Sequence, residues 1–207
     1  AKENGISRAD VDRFSNRSQD RYFSAQEKGL FADEIVPVEG GVHTREGLKP
    51  RKYRLHETKR LDRDEHPRKT TLEDLGKLPF VFTEGGPTTA GSASGIVDGA
   101  ASVLISSADF ARAHGVTPLG KVLGVAAVGV EPSIMGIGPV PAIRSVLAAL
   151  KLQIADIHLF EINEAFGAQC LAVARAMELD EEKLNVNGGA IAVGHPLAAS
   201  GIRLAMT

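Results

Sequence analysis

His195 has the most constrained setting of any group in this chain that is able to move a proton. It closes the stretch Asn185-Val186-Asn187-Gly188-Gly189-Ala190-Ile191-Ala192-Val193-Gly194-His195-Pro196. Two glycines after a polar strand let the backbone approach a neighbour closely, and Gly194 and Pro196 fix the turn that holds the imidazole at the mouth of a helix. An imidazole there is a general base of tunable pKa, because a helix N-terminus disfavours its charged form. The competing reading is a helix-capping histidine beside a structural turn. Asn163, in Phe160-Glu161-Ile162-Asn163-Glu164-Ala165-Phe166, sits where a strand gives way to a helix. It is placed as an N-cap, which is a sufficient explanation on its own; the alternative is an amide that donates a hydrogen bond, or holds a water, where negative charge develops on a substrate oxygen.

The remaining candidates carry plainer explanations. Cys170, the single cysteine, follows Asn163 by two helical turns on the same face. In an Ala-rich helix it reads as a small buried hydrophobe rather than a nucleophile. The basic segment from Lys49 to Lys69 reads as a solvated loop, although Arg68 and Thr70, leading into a capped Thr71-Leu72-Glu73 turn, are suited to engage phosphate. Gly136-Ile137-Gly138-Pro139-Val140-Pro141 begins like a dinucleotide fingerprint, but Pro stands at the third glycine and no ribose-binding acid follows at the right distance. The sequence contains no G-x-S-x-G elbow, Walker loop, H-E-x-x-H or C-x-x-C, and its six histidines are scattered, so hydrolase, nucleotide-hydrolase and metal templates lack support.

The elements that must position these groups follow from charge and periodicity. Residues 1–78 hold 32 of the 50 Lys, Arg, Asp and Glu, against 18 in the remaining 129, which implies two regions of different solvent exposure. In the first, Ser7-Arg8-Ala9-Asp10 resembles a capping box for a helix running to about Lys28 and stopping at Gly29. Asp33 to Val38 reads as a short strand, and Gly40 to Lys69 as an aperiodic, polar surface excursion. The second region alternates strand-like runs (103–105, 121–130, 157–162 and 185–192) with helices. One helix is capped by Ser106 and ends near His114-Gly115, another spans Pro141 to Leu150, a third runs from Asn163 to Met177, and a last one follows Pro196. That order predicts an α/β layered domain, with ligands at the strand ends where small residues cluster: Thr89–Gly95, Gly136–Pro139 and Asn187–Ala190.

Composition narrows the class further. A hydrophobic content of 43% over 207 residues builds a real core, and a formal charge of −2 without long like-charge blocks gives no reason to invoke nucleic acid. No apolar run approaches a membrane span of roughly 20 residues, and one cysteine fits a reducing compartment. Both ends read as internal to a longer chain: there is no initial Met, and the closing residues look like a helix in progress.

Taken together, N-E-A-F at 163–166, N-V-N-G-G-A-I-A at 185–192 and G-H-P at 194–196 resemble the thiolase family. Val128–Pro139 and Thr89–Gly95 look like further thiolase segments, so the likeness covers nearly the whole chain and is nearest the 3-ketoacyl-CoA thiolases of mitochondrial type. The resemblance implies a layered α-β-α-β-α fold, present in part. Residues 1–95 would form a CoA-binding loop domain, 96–118 the end of the N-terminal half, and 119–207 a truncated C-terminal half. It implies an acyl-CoA C-acyltransferase in which a cysteine thiolate takes the acyl group from a 3-ketoacyl thioester and passes it to CoA, or runs the reverse Claisen condensation.

By this analogy His195 deprotonates the nucleophile and helps stabilise the thioester oxygen, while Asn163 holds the water that completes the oxyanion hole. Ser94 contacts pantetheine, Arg68 and Thr70 grip the CoA nucleotide, and Met135 and Phe166 line the acyl channel. Coenzyme A is then a substrate and no cofactor is permanently bound. The expected assembly is a homodimer or homotetramer in the cytoplasm or mitochondrial matrix.

This sequence departs from the family pattern at Ser92, usually asparagine, at Ala198, usually glycine, and in a segment around Arg68 that is one residue shorter. The family's nucleophilic cysteine belongs upstream of Ala1 and its second catalytic cysteine beyond Thr207, so this chain alone is expected to be inactive. The rival reading is a non-catalytic thiolase-like protein that binds CoA or a partner. A 3-ketoacyl synthase relationship is disfavoured by N-E-A-F, where a second histidine would be needed.

Overall fold

The computed structural model describes residues 1–45, 51–54 and 60–207, with side chains described outside 42–45 and 51–54. After a 3-10 turn at Lys2–Asn4, helix α1 spans Arg8–Glu27. It starts where the Ser7 signal places it: Ser7 Oγ accepts from the Asp10 N–H and the Asp10 carboxylate accepts from the Ser7 N–H at 3.0 Å. That backbone donor, with the Ser7 hydroxyl, holds the Asp10 carboxyl down to about 2. Val11, Phe14, Ser15, Ser18, Tyr22 and Ala25, spaced three and four apart, make its buried face. Gly29 ends it in the left-handed region, φ 71°.

Two short antiparallel ladders follow, β1 (Val38–Glu39) with β4 (Arg60–Leu61) and β2 (Val42–Arg45) with β3 (Arg51–Arg54). The strand expected over Asp33 to Val38 is reduced to Val38–Glu39, because consecutive turns, including Ala32 N–H to Gly29 O and Ile35 N–H to Phe31 O, occupy the preceding residues. Much of the basic run from Lys49 lies outside the described side chains. Helix α2 (Leu72–Gly76) is capped by Thr71 and packs on α1, where Arg8, paired with Asp12 at 2.8 Å, donates to the Leu78 carbonyl at 3.1 Å.

In the second region α3 (Ala108–Ala113) is capped by Ser107, one residue after the expected cap. A 3-10 helix at Pro132–Ile137 leads into α4 (Pro139–Leu150), which begins two residues earlier than its proline signal indicated. Helix α5 (Gly167–Ala176) is the centre of the core, touching α1, α4 and the 3-10 helix. Cys170 and Val173 are fully enclosed within it. Gly167 permits the α1 approach: a Cβ there would stand 3.2 Å from Ser15 Oγ and from Val11. Two one-turn and two-turn elements close the chain, α6 (Ala190–Val193) and α7 (Ser200–Met206). Among the described residues no helix is long and apolar enough to cross a membrane.

The four strands expected in this region do not form ladders among the described residues. Residues 157–162 keep one isolated parallel bridge, Phe160 with Leu184, the residue just before the 185–192 run. Residues 103–105 and 121–130 pair with no strand among the described residues, and their apolar side chains stand open, Leu104 at 92% and Val125 at 86% exposure. One edge of the latter segment lies on α4, where a Cβ on Gly124 would meet Val146 at 3.1 Å. A strand is stable only when its backbone groups pair with another strand. These runs carry strand composition without the partners that would complete a sheet.

Candidate active site

The site is assembled around a buried carboxylate. Glu164 is 1% exposed and accepts hydrogen bonds from Ser18 Oγ (2.7 Å), Asn185 Nδ2 (2.8 Å) and the Ile191 N–H (3.1 Å). Burial pushes its carboxyl above the ordinary range, while those three donors oppose the shift. Asn185 adopts a left-handed conformation (φ 48°) and clamps Ile162 in both directions, accepting its N–H at 2.8 Å and donating to its carbonyl at 2.9 Å. The two motif segments, 160–166 and 185–195, are thereby fastened to each other and to α1.

This hub explains the glycine pair. A Cβ on Gly189 would overlap the Glu164 carboxyl, and one on Gly188 (φ 83°) would stand 2.6 Å from the Ser18 carbonyl. The strand expected over 185–192 gives way to a tight turn and α6, because the backbone must close over Glu164. Sequence reading missed Glu164 and Ser18; with Glu161 and Asn163 in the same seven-residue motif, nothing local marked Glu164 as the buried one.

Above the hub Asn163 and His195 meet. Asn163 Nδ2 lies 3.4 Å from His195 Nε2, and His195 Nδ1 lies 2.6 Å from Ser200 Oγ. Ser200 Oγ donates to the Pro196 carbonyl at 3.2 Å, so its lone pairs face the imidazole. The proton arrangement follows: Nδ1–H donates to Ser200, and Nε2 presents its lone pair toward the Asn163 amide. An imidazole held this way is ready to accept a proton at Nε2. The His195 N–H donates to the Gly95 carbonyl at 2.8 Å, and Gly194 takes φ 91° against Val97. Ser200 is a third residue that sequence reading missed.

Asn163 is not the N-cap of α5. That helix begins at Gly167, capped by Phe166, four residues further on. Released from capping, the Asn163 side chain turns toward His195, and its Oδ1 is buried without a hydrogen-bond partner among the described residues. The helix was expected to start at Asn163 because an asparagine before a helical pattern is the usual start signal. Here contact with His195 prevails.

The other predicted residues distribute around this pair. Ser94 is half-buried, and both its N–H (3.1 Å) and its Oγ (3.3 Å) donate to the carbonyl of Ala165, two residues after Asn163 in the chain. Phe166 pairs with Ala93 as an antiparallel bridge, and its ring meets Phe82 edge to face at 5.6 Å. Phe82 was not anticipated; it lines, with Ile6, Pro87 and Thr88, a cleft of about 550 Å³. Met135 is 73% exposed on the 3-10 helix, next to Gly136, where a Cβ would touch Gln169 at 3.0 Å.

Arg68 is exposed, with its N–H donating to Gln19 Oε1 at 2.9 Å, and Thr70 precedes the α2 cap. Cys170 is enclosed, and burial pushes its thiol well above the ordinary range. That agrees with its reading as a packed hydrophobe.

Glu161 and Arg203 join the Asn163 segment to α7 by an ion pair of 3.6 Å. Burial pushes the Glu161 carboxyl up to about 7, more than Arg203 pulls it down, and Glu164 and Glu34 push in the same direction as burial. Among the described residues no group of histidine, cysteine and carboxylate side chains is placed to hold a metal.

Comparison with known proteins places the chain in a family. Residues 1–109 match the family model "Thiolase, N-terminal domain" and residues 116–207 match "Thiolase, C-terminal domain". The chain is 48% identical over 205 residues to mitochondrial 3-ketoacyl-CoA thiolase of Bos taurus, an alignment that covers 99% of this chain and 49% of that protein. It is 49% identical over 205 residues to beta-ketoadipyl-CoA thiolase of Pseudomonas aeruginosa, covering 98% of this chain and 48% of the relative. Human mitochondrial 3-ketoacyl-CoA thiolase, solved in complex with CoA, superposes with a TM-score of 0.89 at 45% identity, over 99% of this chain and 48% of that structure. The chain thus spans about half the length of the relatives it matches. It has the thiolase fold in part, and it belongs to the thiolase family.

Proposed function

We propose that this chain contributes the general-base side of a thiolase active site, acting in acyl-CoA C-acyltransfer. A cysteine thiol supplied from outside these 207 residues gives its proton to His195 Nε2. The thiolate adds to the 3-keto carbonyl of a 3-ketoacyl-CoA. The bond between C2 and C3 breaks, the acyl group stays on sulfur, and the departing acetyl-CoA carbanion takes a proton from a second cysteine thiol, also supplied from outside these residues, which the incoming CoA thiol reprotonates. CoA thiol then attacks the acyl-enzyme to release the shortened acyl-CoA, and the reverse sequence is the Claisen condensation. Developing negative charge on the thioester oxygen is met by donors aimed at it, where one such donor contributes about 3–4 kcal/mol.

The observation that carries this reading is the Asn163–His195 contact with His195 oriented by Ser200. Coenzyme A is the substrate, engaged by Ser94 at the pantetheine and by Arg68 and Thr70 at the nucleotide, with Met135 and Phe166 along the acyl path. Residues 1–95 act as the CoA-binding loop domain, 96–118 complete the N-terminal half, and 119–207 belong to the C-terminal half. The assembly is a homodimer or homotetramer, and the compartment is the mitochondrial matrix or the cytoplasm.

A non-catalytic CoA-binding role is the second reading, favoured by one observation: the sole thiol of this chain, Cys170, is fully enclosed. Incubation with acetoacetyl-CoA and CoA separates the two when the flanking thiolase segments are supplied. Thiolytic cleavage that vanishes on His195→Ala supports the enzyme. CoA binding without turnover in the completed protein supports the alternative. The chain by itself is expected to show no turnover above background.

A further inference from the structure

His66 stands outside the residues already assigned, yet it touches both sides of the backbone that seats His195. Its Nδ1 lies 2.7 Å from the Ala192 carbonyl. A carbonyl only accepts, so Nδ1 carries the proton and donates. Ala192 belongs to α6, three residues before His195. The other edge of the same ring lies over Gly95, where an added Cβ would overlap it. Gly95 is the residue whose carbonyl takes the His195 N–H at 2.8 Å. One imidazole thus spans the two backbone stretches that meet at the catalytic turn.

The same segment grips that turn a second time. The Arg68 N–H donates to Gln19 Oε1 at 2.9 Å, and Gln19 Nε2 donates to the Ile191 carbonyl at 3.2 Å. Residues 66–68 therefore form a strap across Ile191 and Ala192. It includes Arg68 and leads on to Thr70, and its other contact, Gly95, adjoins Ser94.

We propose that His66 is a positioning residue that holds the His195 turn against Gly95 and couples the CoA-binding segment 66–70 to the orientation of the catalytic imidazole. The coupling half of this inference rests on the thiolase reading above; the positioning half does not. The Nδ1–H donor is the working group, because it alone reaches the Ala192 carbonyl. When it is absent α6 loosens, the His195 ring leaves Ser200, and its fixed tautomer is lost.

Ring nitrogens of the ¹⁵N-labelled chain, read by long-range proton–nitrogen correlation, test this directly. In the wild-type chain His195 is predominantly Nδ1–H. His66→Phe keeps the ring volume but removes the donor, and His195 then shifts toward the Nε2–H form that free imidazole prefers. His66→Asn places an amide donor near the Nδ1 position and restores the wild-type tautomer, which a merely space-filling role would not do. If His66→Phe fails to fold, His66→Gln, whose donor sits too far out to serve the carbonyl, takes its place. An unchanged His195 tautomer in the donorless variant, or equal loss in His66→Asn, overturns the proposal.

Excess CoA added to the same samples separates the two ideas. In the wild-type chain it moves the Thr70 and Ser94 amides and the His195 ring together. In the donorless variant it moves Thr70 and leaves His195 still, and an equal His195 response in both contradicts the coupling. If CoA moves none of these in the wild-type chain, the CoA-binding reading fails and so does the coupling. The positioning role is then judged by the tautomer alone.

Discussion

Ser200 Oγ sits 2.6 Å from His195 Nδ1 while donating to the carbonyl of Pro196, so one hydroxyl fixes which imidazole nitrogen is free. General bases typically contribute about 10²–10⁴-fold to a rate, and only in the correct tautomer. Ser200→Ala in the completed thiolase is predicted to lower kcat roughly 10–100-fold, as part of that contribution, with little change in KM. Steady-state thiolysis of acetoacetyl-CoA reads this split, and a purely KM effect would assign Ser200 to binding instead.

Gly189 lies against the Glu164 carboxyl with no room for a methyl group. Gly189→Ala is predicted to destabilise the chain by about 1–3 kcal/mol, the usual range for overpacking. Urea denaturation would show a lower midpoint at unchanged slope. A midpoint equal to wild type would mean that the turn over Glu164 yields freely.

Stability is predicted to fall as pH rises from about 4.5 to about 7 on account of Glu161. The sign follows from proton counts: with its carboxyl pushed up to about 7, the folded chain holds a proton that the unfolded chain has released. Within that window each rise in pH favours unfolding. Glu161→Gln removes the dependence and should raise the thermal midpoint at pH 8, despite the loss of the 3.6 Å contact with Arg203. A lower midpoint for this variant at pH 8 would show that the ion pair outweighs the desolvation of the carboxylate.

Cys170 is enclosed and its thiol is held protonated. A thiol-specific disulfide reagent at neutral pH should therefore leave the native chain unmodified and label one thiol per chain after unfolding in urea. Prompt labelling of the native form would place Cys170 within reach of a substrate.

Local signals carried the helices and their ends. Ser7 with Asp10, Thr71 before Leu72 and Gly29 after α1 act within one turn of the chain, so they are legible without knowing the fold. The chemistry-bearing motif at Gly194–Pro196 was legible for the same reason, since a positive-φ glycine and a proline on either side of His195 fix their own turn. Non-local relationships were not.

Asn163 read first as a cap until its partner, 32 residues away, was in place. Glu164 gave no sign of being a hub, because its donors come from Ser18 and Asn185 on two distant segments. The run 121–130 has the composition of a strand, but pairing depends on a neighbour that composition does not reveal. Within the described residues that neighbour is absent.

The central claim is that His195 and Asn163 act as a unit on one thioester, and a double-mutant cycle measures it most directly. Wild type, His195→Ala, Asn163→Ala and the double variant would be compared in single-turnover acyl transfer from acetoacetyl-CoA, with the flanking thiolase segments present. Groups that serve one transition state are strongly non-additive. The account predicts that the double variant is no slower, within a few-fold, than the slower single variant. Losses that multiply to the full product of the two single effects would contradict it.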